Sequence, residues 1–207
     1  MGPSGRAERE NEVHLAMKAA LIIFDHMTIL DFIGFYDPIT RLKSMNVIPD
    51  FEWRICSSKR QVTDDRGGGL GIIADSTGEP LDAYDLLFVP GGMGTRPLQT
   101  DSGFIEWLRT ASGARLKISV CTGALLLGAA GFLRGRRATT HPNALKDLEP
   151  YCDKVLTDRI VDEGNVITGS GVSTSLDLGL HVVQRLAGAE ARDRIARQMC
   201  YPYRWES

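Results

Sequence analysis

The sequence predicts an α/β fold: a largely parallel sheet covered by helices on both faces. Three observations carry that expectation. Lys18–Phe24, Asp85–Val89 and Leu116–Val120 are short, nearly continuous apolar runs, the pattern of strands buried on both faces. Segments with helical spacing alternate with them, which favours parallel strands joined by crossover helices. The runs lead into loops carrying Asp31, Gly91-Gly92 and Cys121, which would meet beyond the strand ends, where such sheets bind their ligands.

In chain order, Lys18–Phe24 is the first central strand. A loop through Leu30 follows, and Asp31 is suited to N-cap a helix from Phe32 to about Ser44. Phe51–Ser57 alternates apolar and polar residues, as a strand near a sheet edge does. Gly67–Ala74 reads as a turn entering a short strand, and Asp85–Val89 as a buried strand ending on Pro90-Gly-Gly-Met-Gly94. A helix over Gly103–Thr110 precedes Leu116–Val120. Cys121-Thr-Gly123 then breaks that strand, and Ala124–Ala130 are helix formers. Pro142–Leu148 reads as a short helix, and Lys154–Thr168 as two strands joined at Asp162-Glu-Gly-Asn165. Helices over Thr174–Leu186 and Ala189–Met199 close the fold, with an irregular tail from Tyr201.

The chain has 207 residues, enough for one domain with a substantial core. Residues 1–16 are polar and charged, without the apolar core of a signal peptide, and are expected to be a leader outside a single domain over 17–207. A net charge of −2 gives no electrostatic reason to expect a nucleic-acid or membrane partner. No apolar run is long enough to span a bilayer. Four cysteines, at 56, 121, 152 and 200, are spaced too widely for a C-x-x-C motif and suit free thiols in a reducing compartment, the cytoplasm. No His/Cys/Asp cluster or phosphate loop calls for a metal or cofactor.

A strand running into a helix through a tight, glycine-assisted turn is a nucleophile elbow, and Cys121 occupies it. The helix N-terminus would favour a thiolate there. The competing reading is a small core hydrophobe. A working nucleophile needs an acid or base and donors for developing negative charge. Asp31 is the acid/base candidate and is equally suited to capping alone. Thr122, and the N–H groups around Gly91 and Gly92, are the donor candidates. His141 and Ser173 are candidate pocket residues, each with a structural alternative as loop or cap residue.

Leu30-Asp-Phe-Ile-Gly-Phe-Tyr-Asp37, Phe88-Val-Pro-Gly-Gly-Met93, Ser119-Val-Cys-Thr-Gly123, Arg137-Ala-Thr-Thr-His141 and Gly169-Ser-Gly-Val-Ser-Thr-Ser-Leu-Asp177 together resemble the ThiJ/PfpI superfamily. The likeness spans about Met17 to Leu186. Within it the chain looks most like isonitrile hydratases. The resemblance implies a flavodoxin-like fold and a homodimer. It also implies addition of water to an isonitrile, with Cys121 as nucleophile, Asp31 as general acid/base and Thr122 in support. Two positions depart from the pattern: Phe35 stands where the family usually has Pro, and Pro142 where it often has an aromatic. The alternatives are another cysteine-dependent hydratase or detoxification enzyme, or a ligand-sensing module. The latter is related to domains fused to AraC-type DNA-binding regions, for which the chain as given leaves no room after its core.

Overall fold

The computed structural model describes residues 17–203 apart from residue 68. The leader expected over 1–16 lies outside the described residues, as do 204–207.

The chain opens with β1 (Lys18–Ile22), α1 (Ile29–Ser44) and β2 (Glu52–Ser57), followed by a hairpin of β3 (Gln61–Thr63) and β4 (Gly71–Ile73). Next come β5 (Ser76–Thr77), β6 (Leu86–Val89), α2 (Thr95–Leu98), α3 (Ser102–Arg109), β7 (Leu116–Val120) and α4 (Gly123–Ala129). The last third carries β8 (Arg137–Ala138), α5 (Leu145–Leu148), β9 (Lys154–Val155), β10 (Ile160–Asp162), β11 (Val166–Gly169) and α6 (Thr174–Gln198).

Seven strands form one sheet in the order β10-β11-β7-β6-β1-β2-β5. Every neighbouring pair in it is parallel except β10 with β11. The apolar runs became its centre: every residue of β6 and β11, and nearly every residue of β1 and β7, is buried. From β1 the chain first steps outward to β2 and later returns to the other side of β1 as β6. The β1 and β6 loops therefore diverge at a switch point, and a crevice opens at their C-terminal ends.

Helices α1 and α6 cross closely, which explains one glycine on each. A Cβ on Gly34 would lie 2.0 Å from Ser175 Oγ, and one on Gly179 would lie 2.3 Å from Pro38 Cγ. Ser175 Oγ donates to Leu30 O at 3.1 Å, tying α6 to the first turn of α1. Phe35 points into the core, stacked on Phe88 with ring centroids 3.9 Å apart. Pro142 starts an exposed 3-10 turn.

Some boundaries differ from expectation. Asp31 does not cap α1: the helix begins at Ile29, Thr28 holds the cap position without a side-chain cap bond, and Asp31 falls in the first turn. The Asp31 carboxylate is drawn inward by a partner on another loop, described below. The two closing helices, by contrast, are both present within α6, divided as expected at Gly188, whose φ of 84° only glycine adopts without strain. The short α2 was not anticipated, since Pro97 in a four-residue segment hides it.

Candidate active site

The elbow forms as its residues dictate. Strand β7 ends at Val120, and Cys121 takes φ = 54°, a left-handed conformation that costs a non-glycine residue of order 1–3 kcal/mol. Neighbours on both sides hold it there. Cys121 N donates to Gly169 O at 3.0 Å, and Thr140 Oγ1 donates to Cys121 O at 2.8 Å. Gly123 follows because a Cβ there would sit 2.3 Å from Val89 O, the end of the neighbouring strand. Cys121 is 4% exposed.

Asp31 reaches the same point from α1 and is fully buried. Its Oδ2 accepts from Gly91 N at 3.0 Å, while Oδ1 is buried without a hydrogen bond of regular geometry. Gly91 marks the convergence. A Cβ on it would lie 2.6 Å from Thr122 N, 2.7 Å from Cys121 Cβ and 2.8 Å from Asp31 Oδ2. The carboxylate, the thiol-bearing carbon and the elbow amide thus surround one glycine.

Electrostatics follow from burial. Loss of water pushes the Asp31 carboxyl up to about 7, against the Gly91 N–H and the Cys121 thiol, which favour the anion. Burial, and then the nearby Asp31 carboxylate, push the Cys121 thiol up to about 12, with the Thr122 N–H opposing them. This corrects the expectation of a resting thiolate: desolvation and a facing carboxylate outweigh the helix N-terminus. At neutral pH the pair retains a proton, held on the Cys121 thiol.

The donors also differ from expectation. Gly91 N is taken by Asp31, and Gly92 N donates to Thr122 Oγ1 at 3.0 Å. Neither N–H is left free for a substrate oxyanion, because both tie the β6 loop to its neighbours. The Thr122 hydroxyl also lies 3.1 Å from Gly92 O and 3.0 Å from Thr95 Oγ1, so it fastens the elbow to that loop. Gly92, at φ = 127°, lies so close to the β1 loop that a Cβ would sit 2.5 Å from Thr28 N.

His141 is half-buried and accepts from Asn143 N at 3.2 Å, which caps its own turn, while its neighbour Thr140 holds the elbow. Ser173 is exposed at the start of α6 and meets Arg159 Nη2 at 3.4 Å. Neither side chain makes a hydrogen bond to Asp31, Cys121 or Thr122 in this structure. Sequence reasoning missed Thr95 and Thr140. The paired threonines of Arg137-Ala-Thr-Thr-His141 were the available signal for Thr140. His181 pairs with Asp162 at 2.7 Å, on the sheet's edge strand β10. Among the described residues no group of three or more His, Cys, Asp or Glu is placed to hold a metal ion. None of the described helices is long and apolar enough to cross a membrane.

A cysteine on a strained elbow, facing a buried carboxylate at the switch point of a parallel sheet, defines a class of cysteine-elbow α/β proteins. The chain belongs to the DJ-1/PfpI family, whose model matches residues 17–185. It is similar to an isonitrile hydratase of Pseudomonas putida, 35% identical over 189 residues, covering 90% of this chain and 79% of that protein. It is also similar to the HTH-type transcriptional regulator CdhR of Pseudomonas aeruginosa, 31% identical over 134 residues, covering 63% of this chain and 39% of the regulator. Among solved structures, a ThiJ/PfpI family protein from Pseudomonas syringae superposes with a TM-score of 0.83 at 26% identity. The match covers all of this chain and 84% of that one.

Proposed function

We propose that this protein hydrates an isonitrile to an N-substituted formamide through a covalent Cys121 intermediate. The observation that carries the reading is the Asp31–Cys121 pair: a buried carboxyl raised to about 7 beside a thiol that is itself protonated. Similarity to an isonitrile hydratase over 90% of the chain supports it.

In this mechanism the Asp31 carboxylate takes the thiol proton and delivers it to the terminal carbon of the isonitrile as sulfur bonds to that carbon. The product is a thioimidate, R–N=CH–S–Cys121. No atom is lost in the addition. Asp31 then draws a proton from water as the oxygen attacks the same carbon, and the imine nitrogen is protonated. Collapse of the tetrahedral adduct breaks the C–S bond, releases R–NH–CHO and returns the last proton to sulfur. A carboxyl with a pKa near the working pH suits both transfers. Thr122 and Thr140 hold the elbow in place while sulfur forms and breaks its bond. Gly91 supplies the space in which the two reacting groups meet.

The proposal extends to a cytoplasmic homodimer. Leu30 and Ile33, 48% and 43% exposed one turn apart on α1, supply an apolar face for a second copy.

A second reading, a ligand-sensing module, is favoured by the similarity to a transcriptional regulator. A panel of isonitriles, methylglyoxal and nitriles separates the two. The hydratase reading expects formamide from isonitriles and no turnover of methylglyoxal. Turnover of none of them, with saturable binding of one, would favour the sensor.

A further inference from the structure

The β3–β4 hairpin places a second carboxylate behind the first. Asp65, in the turn after β3, accepts a hydrogen bond from Thr28 Oγ1 at 2.7 Å, and its own N–H donates to Met27 O at 3.0 Å. Thr28 is the residue on which α1 starts. It donates its N–H to Gly91 O at 2.9 Å and accepts from Asp31 N at 3.0 Å. One hydroxyl therefore links the hairpin to the turn carrying Asp31 and, through Gly91, to the loop that binds the Asp31 carboxylate. The Asp65 side chain is 10% exposed. Its other oxygen has Arg66 Nε 3.3 Å away without hydrogen-bond geometry, on a guanidinium that is 75% exposed.

We propose that Asp65 is a positioning residue for the reacting pair, anchoring the first turn of α1 through Thr28 and adding a second carboxylate behind that turn. The charge has a direction of effect. Like charges disfavour each other's ionisation, so Asp65 helps keep the proton on Asp31. The titratable groups acting on Asp31 are Cys121 from the elbow and Asp65 from the hairpin. Arg66, on the solvent side of Asp65, moderates that field and is weakened by its exposure. The inference rests on Asp31 and Cys121 being the reacting pair and not on which substrate they take.

The test reads the thiol directly. Alkylation of Cys121 by iodoacetamide, followed on its own tryptic peptide across pH, should accelerate through an inflection where Asp31 becomes able to accept the thiol proton. Asp65→Asn keeps an oxygen for Thr28 and removes the charge, so its inflection should move toward acid with the melting temperature nearly unchanged. Thr28→Val removes the anchor and keeps the charge. It should leave the inflection at the wild-type pH and lower the plateau rate several-fold, and it reads the anchoring arm even if Asp65→Asn folds poorly. An unmoved inflection in Asp65→Asn overturns the proposal, and so does a shift as large in Thr28→Val. In Asp31→Asn the inflection should vanish. Its persistence there would remove the Asp31–Cys121 pair itself, a failure distinct from an unmoved Asp65→Asn profile.

Discussion

The Gly91 N–H donates to Asp31 Oδ2 at 3.0 Å across sixty residues of chain, and that bond fixes the carboxylate against the elbow. The missing side chain matters as much as the bond. Gly91→Ala would place a methyl 2.6–2.8 Å from Thr122 N, Cys121 Cβ and Asp31 Oδ2, two of them on the proposed reacting residues. Relieving such a clash costs about 1–3 kcal/mol and separates the pair. A displacement near 1 Å costs roughly 100-fold in rate. The expected result is a folded variant, less stable by melting temperature and at least about 100-fold slower. Unchanged turnover would show that the spacing at Gly91 is irrelevant to the chemistry.

Asp31 should trade stability for function. Its folded-state pKa, raised to about 7 from the ordinary carboxyl value of 3.8, means the native state holds a proton that the unfolded chain has already released. Stability therefore falls as pH rises from about 4 through about 7. Asp31→Asn removes that penalty. It should match wild type near pH 4 and exceed it above pH 7 by on the order of 2–4 kcal/mol, while turnover drops by roughly two to four orders of magnitude. Denaturation curves at the two pH values check the stability arm, and wild-type rates in this variant would remove Asp31 from the mechanism.

The same raised carboxyl sets the pH profile. The mechanism needs Asp31 as a carboxylate able to take the thiol proton, so kcat/KM should fall as pH drops through about 7 and hold a plateau above it. The thiol titrates far to the alkaline side and adds no limb near neutrality. A profile flat from pH 5 to 9 would contradict this assignment.

Thr122 should matter for structure as well as rate. Thr122→Val leaves the Gly92 N–H, now bonded at 3.0 Å, buried without an acceptor, at about 1–3 kcal/mol. The loss should show as a lower denaturation midpoint together with slower turnover. Thr122→Ser, which keeps the acceptor, should restore most of both. Equal stability in Thr122→Val and wild type would remove the clasp from the account.

The sheet was legible because its central strands are mostly apolar, and the elbow because an apolar run ends at Val120 and Cys-Thr-Gly leads directly into helix formers. The meeting of Asp31 with Cys121 followed from topology, since both lie at strand ends on either side of the switch point. The state of the sulfur was not legible. Helix position argues for a thiolate, but the depth of burial that reverses the balance depends on how the neighbouring elements close over Cys121. The part played by Gly91 and Gly92 was hidden for a related reason. The sequence shows that these N–H groups exist, and only the fold shows that Asp31 and Thr122 occupy them. Asp65 was invisible because its link to Thr28 spans 37 residues and a hairpin whose glycine-rich turn carries no periodic pattern.

The most direct comparison is the rate of formamide production from an isonitrile by the wild-type protein and by Cys121→Ala. Alanine retains the elbow backbone and removes only sulfur, so the account expects product from the wild type and none above the uncatalysed rate from the variant. Formamide released by Cys121→Ala at the wild-type rate would contradict it.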